Sequence, residues 1–102
     1  MSNESGRTQA VPTEQIHNHR VVVTEWRFEP GAETGWHTHQ MDYVVVPQTT
    51  GQLRIETPEG EVTADLTAGV PYFREVGVHH NVINANSFEF VFVEVELVHT
   101  RK

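Results

Sequence analysis

Turn-forming residues punctuate this chain at intervals of roughly eight to twelve, the rhythm of short antiparallel strands. Glu29-Pro30-Gly31-Ala32, Pro47 to Gly51, Pro58-Glu59-Gly60-Glu61 and Ala68-Gly69-Val70-Pro71 all carry tight-turn chemistry. Between them lie β-branched and aromatic runs. These are Arg20 to Phe28 (RVVVTEWRF), Thr34 to Thr38, Tyr43 to Val46 (YVVV), Gln52 to Thr57, Val62 to Leu66, Tyr72-Phe73, Val78 to Ile83 and Phe88 to Val98. No stretch longer than a turn repeats its apolar residues at helical spacing. The expected fold is all-β, a small antiparallel sandwich or barrel.

Alternation along the strands says which side chains face inward. Gln52 to Thr57 alternates polar and apolar, so Leu53 and Ile55 face a core while Gln52, Arg54 and Glu56 face water. The last strand differs. Phe88, Phe90, Phe92, Glu94 and Glu96 share one side, and Val91, Val93, Val95 and Leu97 occupy the other. A strand apolar on both faces is covered on both, by a second sheet or by another subunit. A homodimer is the expected assembly.

With 102 residues the chain can hold one core. Met1 to Ala10 has the composition of a flexible N-terminal arm, leaving 11–102 as a single domain. Seven basic against fourteen acidic residues give a formal charge of −7, with no Lys/Arg cluster. Binding to nucleic acid or to an anionic membrane through broad electrostatics is therefore not expected. Without cysteine there is no disulfide and no thiolate metal site. The polar N-terminus does not read as a signal peptide, and no apolar run approaches membrane-spanning length. A cytoplasmic protein with a small-molecule ligand is the expectation.

The histidines carry the chemistry. His37 and His39 flank one residue, and on an extended strand both imidazoles point the same way, their Cα atoms roughly 6.5–7 Å apart. That spacing suits two ligands converging on one metal, for which neutral imidazole is a favoured donor. A bare H-x-H pair is weak by itself, as His17-x-His19 illustrates: it has no glycine frame and no partner segment. His79 faces outward beside His80, and His99 sits in a polar C-terminus.

What distinguishes His37 and His39 is their frame. Gly31, five residues, His37, one residue, His39, three residues, Tyr43 and a closing Gly51 form one segment. Gly69, seven residues, Gly77, two residues, His80, three residues and Asn84 form the other. Together they resemble the two signature motifs of the cupin superfamily. The resemblance implies a double-stranded β-helix of jelly-roll type, with His37, His39 and His80 as metal ligands. In two places the chain departs from the pattern. The usual glutamate, normally a fourth ligand, is replaced by Tyr43, and the usual proline of the second motif by Glu75. Tyr43 shares the odd parity of the two histidines and so faces inward, as a proton donor or substrate anchor. Asp42 becomes the alternative ligand if a β-bulge shifts the register.

The wording TEWRFEPGAETGWHTHQMDYVVVP, with GVHHNVINAN and FEFVFVEVE, is similar to a narrower group, the BauB-like small single-domain cupins. That likeness implies a place in β-alanine breakdown. A three-histidine face leaves metal positions open, whether the ion is Fe, Ni, Zn or Mn. With Fe(II) it implies a dioxygenase; with the others, a Lewis-acid lyase or isomerase. The substrate is then a small organic acid or aldehyde, and an anionic one suits a dication held by neutral ligands. The rival readings are a non-catalytic ligand-binding or sensing cupin, and a metal-free barrel with relic histidines. Tyr72, Phe73, Val82 and Phe92 are candidates for the cavity wall. Trp26 and Trp36 read as packing residues, Trp36 beneath the sheet. Arg54 and Arg74 read as exposed, and Asn84 as the residue that orders its turn.

Overall fold

A computed structural model describes residues 6–98. The first five residues of the expected arm, and His99, lie outside the described residues. Nine strands form in the order β1 (Val11–His17), β2 (Val21–Phe28), β3 (His37–Thr38), β4 (Asp42–Pro47), β5 (Gly51–Thr57), β6 (Gly60–Leu66), β7 (Tyr72–Arg74), β8 (His79–Asn84) and β9 (Phe90–Leu97). The described residues contain no helix, and so none long and apolar enough to cross a membrane. The all-β expectation holds.

Two antiparallel sheets divide the strands. One runs β1-β2-β9-β4-β7, the other β3-β8-β5-β6. Inward residues of both sheets, Phe28, Tyr43, Val45, Phe90 and Phe92 from the first and Leu53, Leu66 and Val82 from the second, make one apolar cluster. Strand parity produces this: in β4 Tyr43, Val45 and Pro47 are buried while their neighbours are half-exposed. The outer face of the five-stranded sheet carries one apolar row among charged residues such as Glu25, Arg27 and Asp42. Ile16, Val23, Val95, Val44 and Phe73 are register partners in one row across all five strands.

Asn84 has the role expected of it. Its amide donates to the carbonyls of Phe28, Glu29 and Phe88, and its Oδ1 accepts from Asn86 N–H. It thereby binds the end of β2, the loop before β9 and the exit of β8 to one point.

One strand is added and two local expectations are corrected. The stretch from Val11 to His17 is an edge strand paired with β2, with every residue exposed. Lacking a buried face, it shows no apolar alternation to read. The expected strand over Thr34 to Thr38 is confined to His37–Thr38, because Gly35 adopts φ of 88° and breaks the extended backbone. Phe88 is exposed in the bend before β9, which starts two residues later. In the described part of the arm, Thr8 C=O accepts from Glu33 N–H at 2.9 Å, and Ala10 is buried.

Candidate metal centre

β3 and β8 run antiparallel with His37 directly opposite His80. Partners opposite each other share a sheet face, so both rings turn into the barrel. His39 follows one residue beyond β3. Its backbone is fixed from two sides: His39 N–H donates to Val78 C=O and His39 C=O accepts from Gly77 N–H, both at 2.9 Å. The Nε2 atoms of His37 and His39 are 3.1 Å apart, and those of His39 and His80 3.2 Å. The three residues expected to converge do converge.

The tautomer at His37 is set by its neighbour. Its Nδ1 lies 2.8 Å from Gly35 C=O, which can only accept, so Nδ1 carries the proton and Nε2 presents its lone pair inward. Burial disfavours protonation of all three rings. It is the main cause that takes His39 down to about 4 and His80 to about 3, with neighbouring histidines adding to it, and it lowers His37 as well.

These residues fit a divalent transition metal. Metal–nitrogen bonds of about 2.0–2.1 Å in tetrahedral or octahedral arrangement put adjacent donors about 3.0–3.4 Å apart. The two Nε2 separations given above fall within that range. Three neutral imidazoles with lone pairs turned to one point form a donor set that could hold Zn, Fe, Ni or Mn.

Tyr43 lies in this wall. Its ring stacks on His39 at 3.8 Å between centroids and 15° between planes. Burial, then the nearby Glu94, pushes its phenol upward, so it stays protonated and is suited to donating a hydrogen bond. Asp42 sits on the other face of β4, where its Oδ1 accepts from Val76 N–H at 2.8 Å. No bulge in the β4 pairings brings it round to the histidines.

Two carboxylates that the sequence reading left unassigned enter the centre from β9. Glu94 Oε2 is 3.8 Å from His39 Nε2, and Glu96 Oε2 is 3.9 Å from His39 Nδ1. Both distances exceed hydrogen-bond reach. Burial, then the charge of Glu96, raises Glu94 to about 7 against a hydrogen bond from Trp26. Burial raises Glu96 too. The parity that placed Phe90 and Phe92 inward carries on to Glu94 and was the available signal.

The centre opens to a cavity of about 410 Å³ lined by Glu14, Thr24, Trp26, His37, His39, Glu94 and Glu96 among others, and by no Lys or Arg among the described residues. Beneath it a void of about 20 Å³, room for one water, touches Tyr43, Tyr72, Val82 and Phe92. Three of the four expected wall residues are there. Phe73 is turned outward and 49% exposed, because adjacent strand residues face opposite ways and Tyr72 takes the inward place.

The other expectations divide. Trp36 is not under the sheet: it is 50% exposed and packs on His79 at 5.0 Å. Trp26 packs on Phe28 at 6.4 Å and also lines the cavity. His79 is exposed beside Thr38 Oγ1 at 2.8 Å. His17 is exposed, with its Nδ1 3.1 Å from Glu14 Oε2. Arg54 pairs with Glu61 through two contacts of 2.9 Å, and Arg74 lies over the Tyr72 ring at 4.6 Å.

Two antiparallel sheets enclosing converging histidines from two strands define a cupin. Solved structures agree: a cupin domain from Bordetella pertussis superposes with a TM-score of 0.88 at 67% identity, covering 89% of this chain and 95% of that one. A Klebsiella pneumoniae protein with a double-stranded β-helix domain superposes at 0.71 with 21% identity, over 90% of this chain and 86% of its own, a likeness of fold alone. No family model matches the sequence. The chain belongs to the family of the beta-alanine degradation protein BauB of Pseudomonas aeruginosa, to which it is 64% identical over 93 residues, 91% of this chain and 98% of that protein.

Proposed function

We propose that this protein is a metal-dependent cupin enzyme of small organic acid or aldehyde metabolism, working in the cytoplasm as a homodimer. His37, His39 and His80 hold one divalent transition metal. The observation that carries this is the approach of their Nε2 atoms, His39 lying 3.1 Å from His37 and 3.2 Å from His80. A bound ion there supplies Lewis acidity or, as Fe(II), dioxygen chemistry. The protein's own groups do the rest. Tyr43, kept protonated by burial, donates its phenolic hydrogen to a substrate oxygen. The side chains of Tyr72, Val82 and Phe92 line the small void beneath that contact and limit it to a single water at most.

The rim narrows the substrate. Glu14 and Glu96 face the opening and no Lys or Arg does among the described residues. A polyanion would be repelled, so a compound with one carboxylate or carbonyl for the metal, and an amine or hydroxyl for the glutamates, suits it better. The name of the Pseudomonas aeruginosa relative, a beta-alanine degradation protein, agrees with acids or aldehydes of that size. The exposed ends of the apolar row on the opposite face of the sheet, Ile16 and Phe73, support the dimer.

The test is elemental analysis of protein expressed without an affinity tag, followed by turnover of three-carbon amino acids and aldehydes and by oxygen uptake with Fe(II). One equivalent of metal and turnover that vanishes in His80→Ala support the reading. Metal-free protein that takes up none of Fe, Ni, Zn or Mn sinks it.

A further inference from the structure

We propose that Glu94 is the fourth protein ligand of the metal centre, a carboxylate delivered from β9 to replace the one missing from the first segment. This rests on the three-histidine reading above.

The usual place of that carboxylate lies on β4. Tyr43 occupies that place, and its ring lies flat against His39 at 3.8 Å, filling the space a shorter carboxylate would need. β9 is the neighbour of β4, with Tyr43 opposite Glu96 and Val45 opposite Glu94. Both glutamates therefore face the interior on the strand next door. Of the two, Glu94 is the more buried, 8% exposed, and approaches Nε2 of His39, the lone-pair side that also meets His37 and His80. Glu96 approaches Nδ1, the far side of the same ring. Geometry thus selects Glu94.

Charge balance points the same way. A carboxylate withdrawn from water needs a cation or several donors. At Glu94 the Trp26 side chain donates one hydrogen bond, and no Lys or Arg lines the cavity among the described residues. Its 3.8 Å approach to His39 is too long for a hydrogen bond. As placed, Glu94 groups with His39 and Glu96 and not with all three histidines, so a rotation of its side chain would bring an oxygen to a dication held there and balance its charge. Three imidazoles and one carboxylate then leave a net charge of +1 at the centre. One singly charged substrate oxygen neutralises it, which agrees with the acidic rim.

The test uses Co(II) as probe, because its visible absorption reports the donor set. Affinity is measured by chelator competition for wild type, Glu94→Gln and His80→Ala. Removing an outer partner of a ligand weakens metal binding about 10–100-fold. Glu94→Gln should exceed that, losing more than 100-fold, and should alter the Co(II) spectrum. A smaller loss, or an unaltered spectrum, overturns the proposal. If Glu94→Gln does not fold, anomalous diffraction from Zn-soaked wild-type crystals decides instead. A Glu94 oxygen within about 2.2 Å of the ion supports ligation, and one beyond about 3 Å overturns it. His80→Ala separates the two readings. Unchanged Co(II) binding in that variant removes the three-histidine centre itself. Lost binding there, with Glu94→Gln like wild type, removes only the role of Glu94.

Discussion

His37 and His80 face each other across the antiparallel pair β3 and β8, although 43 positions separate them in sequence. The candidate metal centre is thus built into sheet register, and strand pairing fixes the separation of those two rings. We expect His37→Ala and His80→Ala each to cut metal affinity by more than 100-fold, since each removes a donor. His79→Ala and His17→Ala should leave the metal content at one equivalent, because both side chains lie outside the centre. Elemental analysis of the four purified variants checks this. A drop in His17→Ala as large as in His80→Ala would contradict it.

The metal-free protein should be most stable near pH 6.5. His39 and His80, lowered to about 4 and about 3 by burial, bind protons less readily folded than unfolded. The stability they contribute is complete above pH 6.5 and is lost as pH falls through their folded values. His37 adds in the same sense. Glu94, raised to about 7, acts oppositely: its contribution is complete below about 4.5 and is lost as pH rises through 7. Between 4.5 and 6.5 His39 and His80 give the unfolded chain up to two extra protons and Glu94 gives the folded chain up to one, while His37 and Glu96 add smaller opposing parts, so stability climbs with pH. Above 6.5 only the carboxylate limb remains and stability declines slightly. Urea titrations of chelator-treated protein across pH 4.5–8.5 measure this. Glu94→Gln should flatten the upper limb, and a stability that rose on acidification from 6.5 to 4.5 would refute the assignment.

How much of this could be read in advance depends on whether a residue's signal was local. The three histidines and Asn84 were legible because period-2 alternation and a glycine frame fix their facing and spacing. β1 was not, since an edge strand exposed on both sides offers no alternation, and Pro12 near its start weakens the strand signal further. Trp36 was misplaced because β3 is only two residues long, too short for parity to carry back through Gly35. Glu94 shares its side of β9 with Phe90 and Phe92 in the sequence, but nothing there says which side is inward or which strand lies beside it. Its nearness to His39 is a fact of which strands are neighbours, and strand order is not written in any single stretch of sequence.

The support beneath His37 gives a third expectation. Asn81 is buried on β8 and donates to Glu33 Oε1 at 2.8 Å and Glu56 Oε1 at 2.9 Å, while its Oδ1 accepts from Gly35 N–H at 2.9 Å. Arg7 completes the cluster, 2.8 Å from the same Glu33 oxygen. Gly35 in turn holds the His37 ring through its carbonyl. Asn81→Ala removes one hydrogen bond from each of Glu33 and Glu56 and the side-chain acceptor of the Gly35 amide, all in a part-buried network. We expect a loss of about 2–3 kcal/mol in urea unfolding. Metal affinity should fall about 10–100-fold, as for an outer-shell partner, with the Co(II) spectrum keeping its shape. A stability loss without any change in affinity would show that this network does not reach the centre.

The outer face of the five-stranded sheet gives the last. Ile16, Val23, Val95, Val44 and Phe73 form one row, and the row's two ends are the exposed members, Ile16 at 48% and Phe73 at 49%. A second copy seated on that row would bury both ends and supply the outer cover that the valines of β9 need. Ile16→Ser with Phe73→Ser removes apolar area from exposed positions only, so the fold should survive. The double variant should sediment at the mass of one chain where wild type sediments at twice that mass. Its metal affinity should stay within threefold of wild type, because the row lies on the opposite face of the sheet from Tyr43 and Glu94. Wild-type protein that sediments as a single chain at tens of micromolar would leave the row without its partner and end the dimer reading.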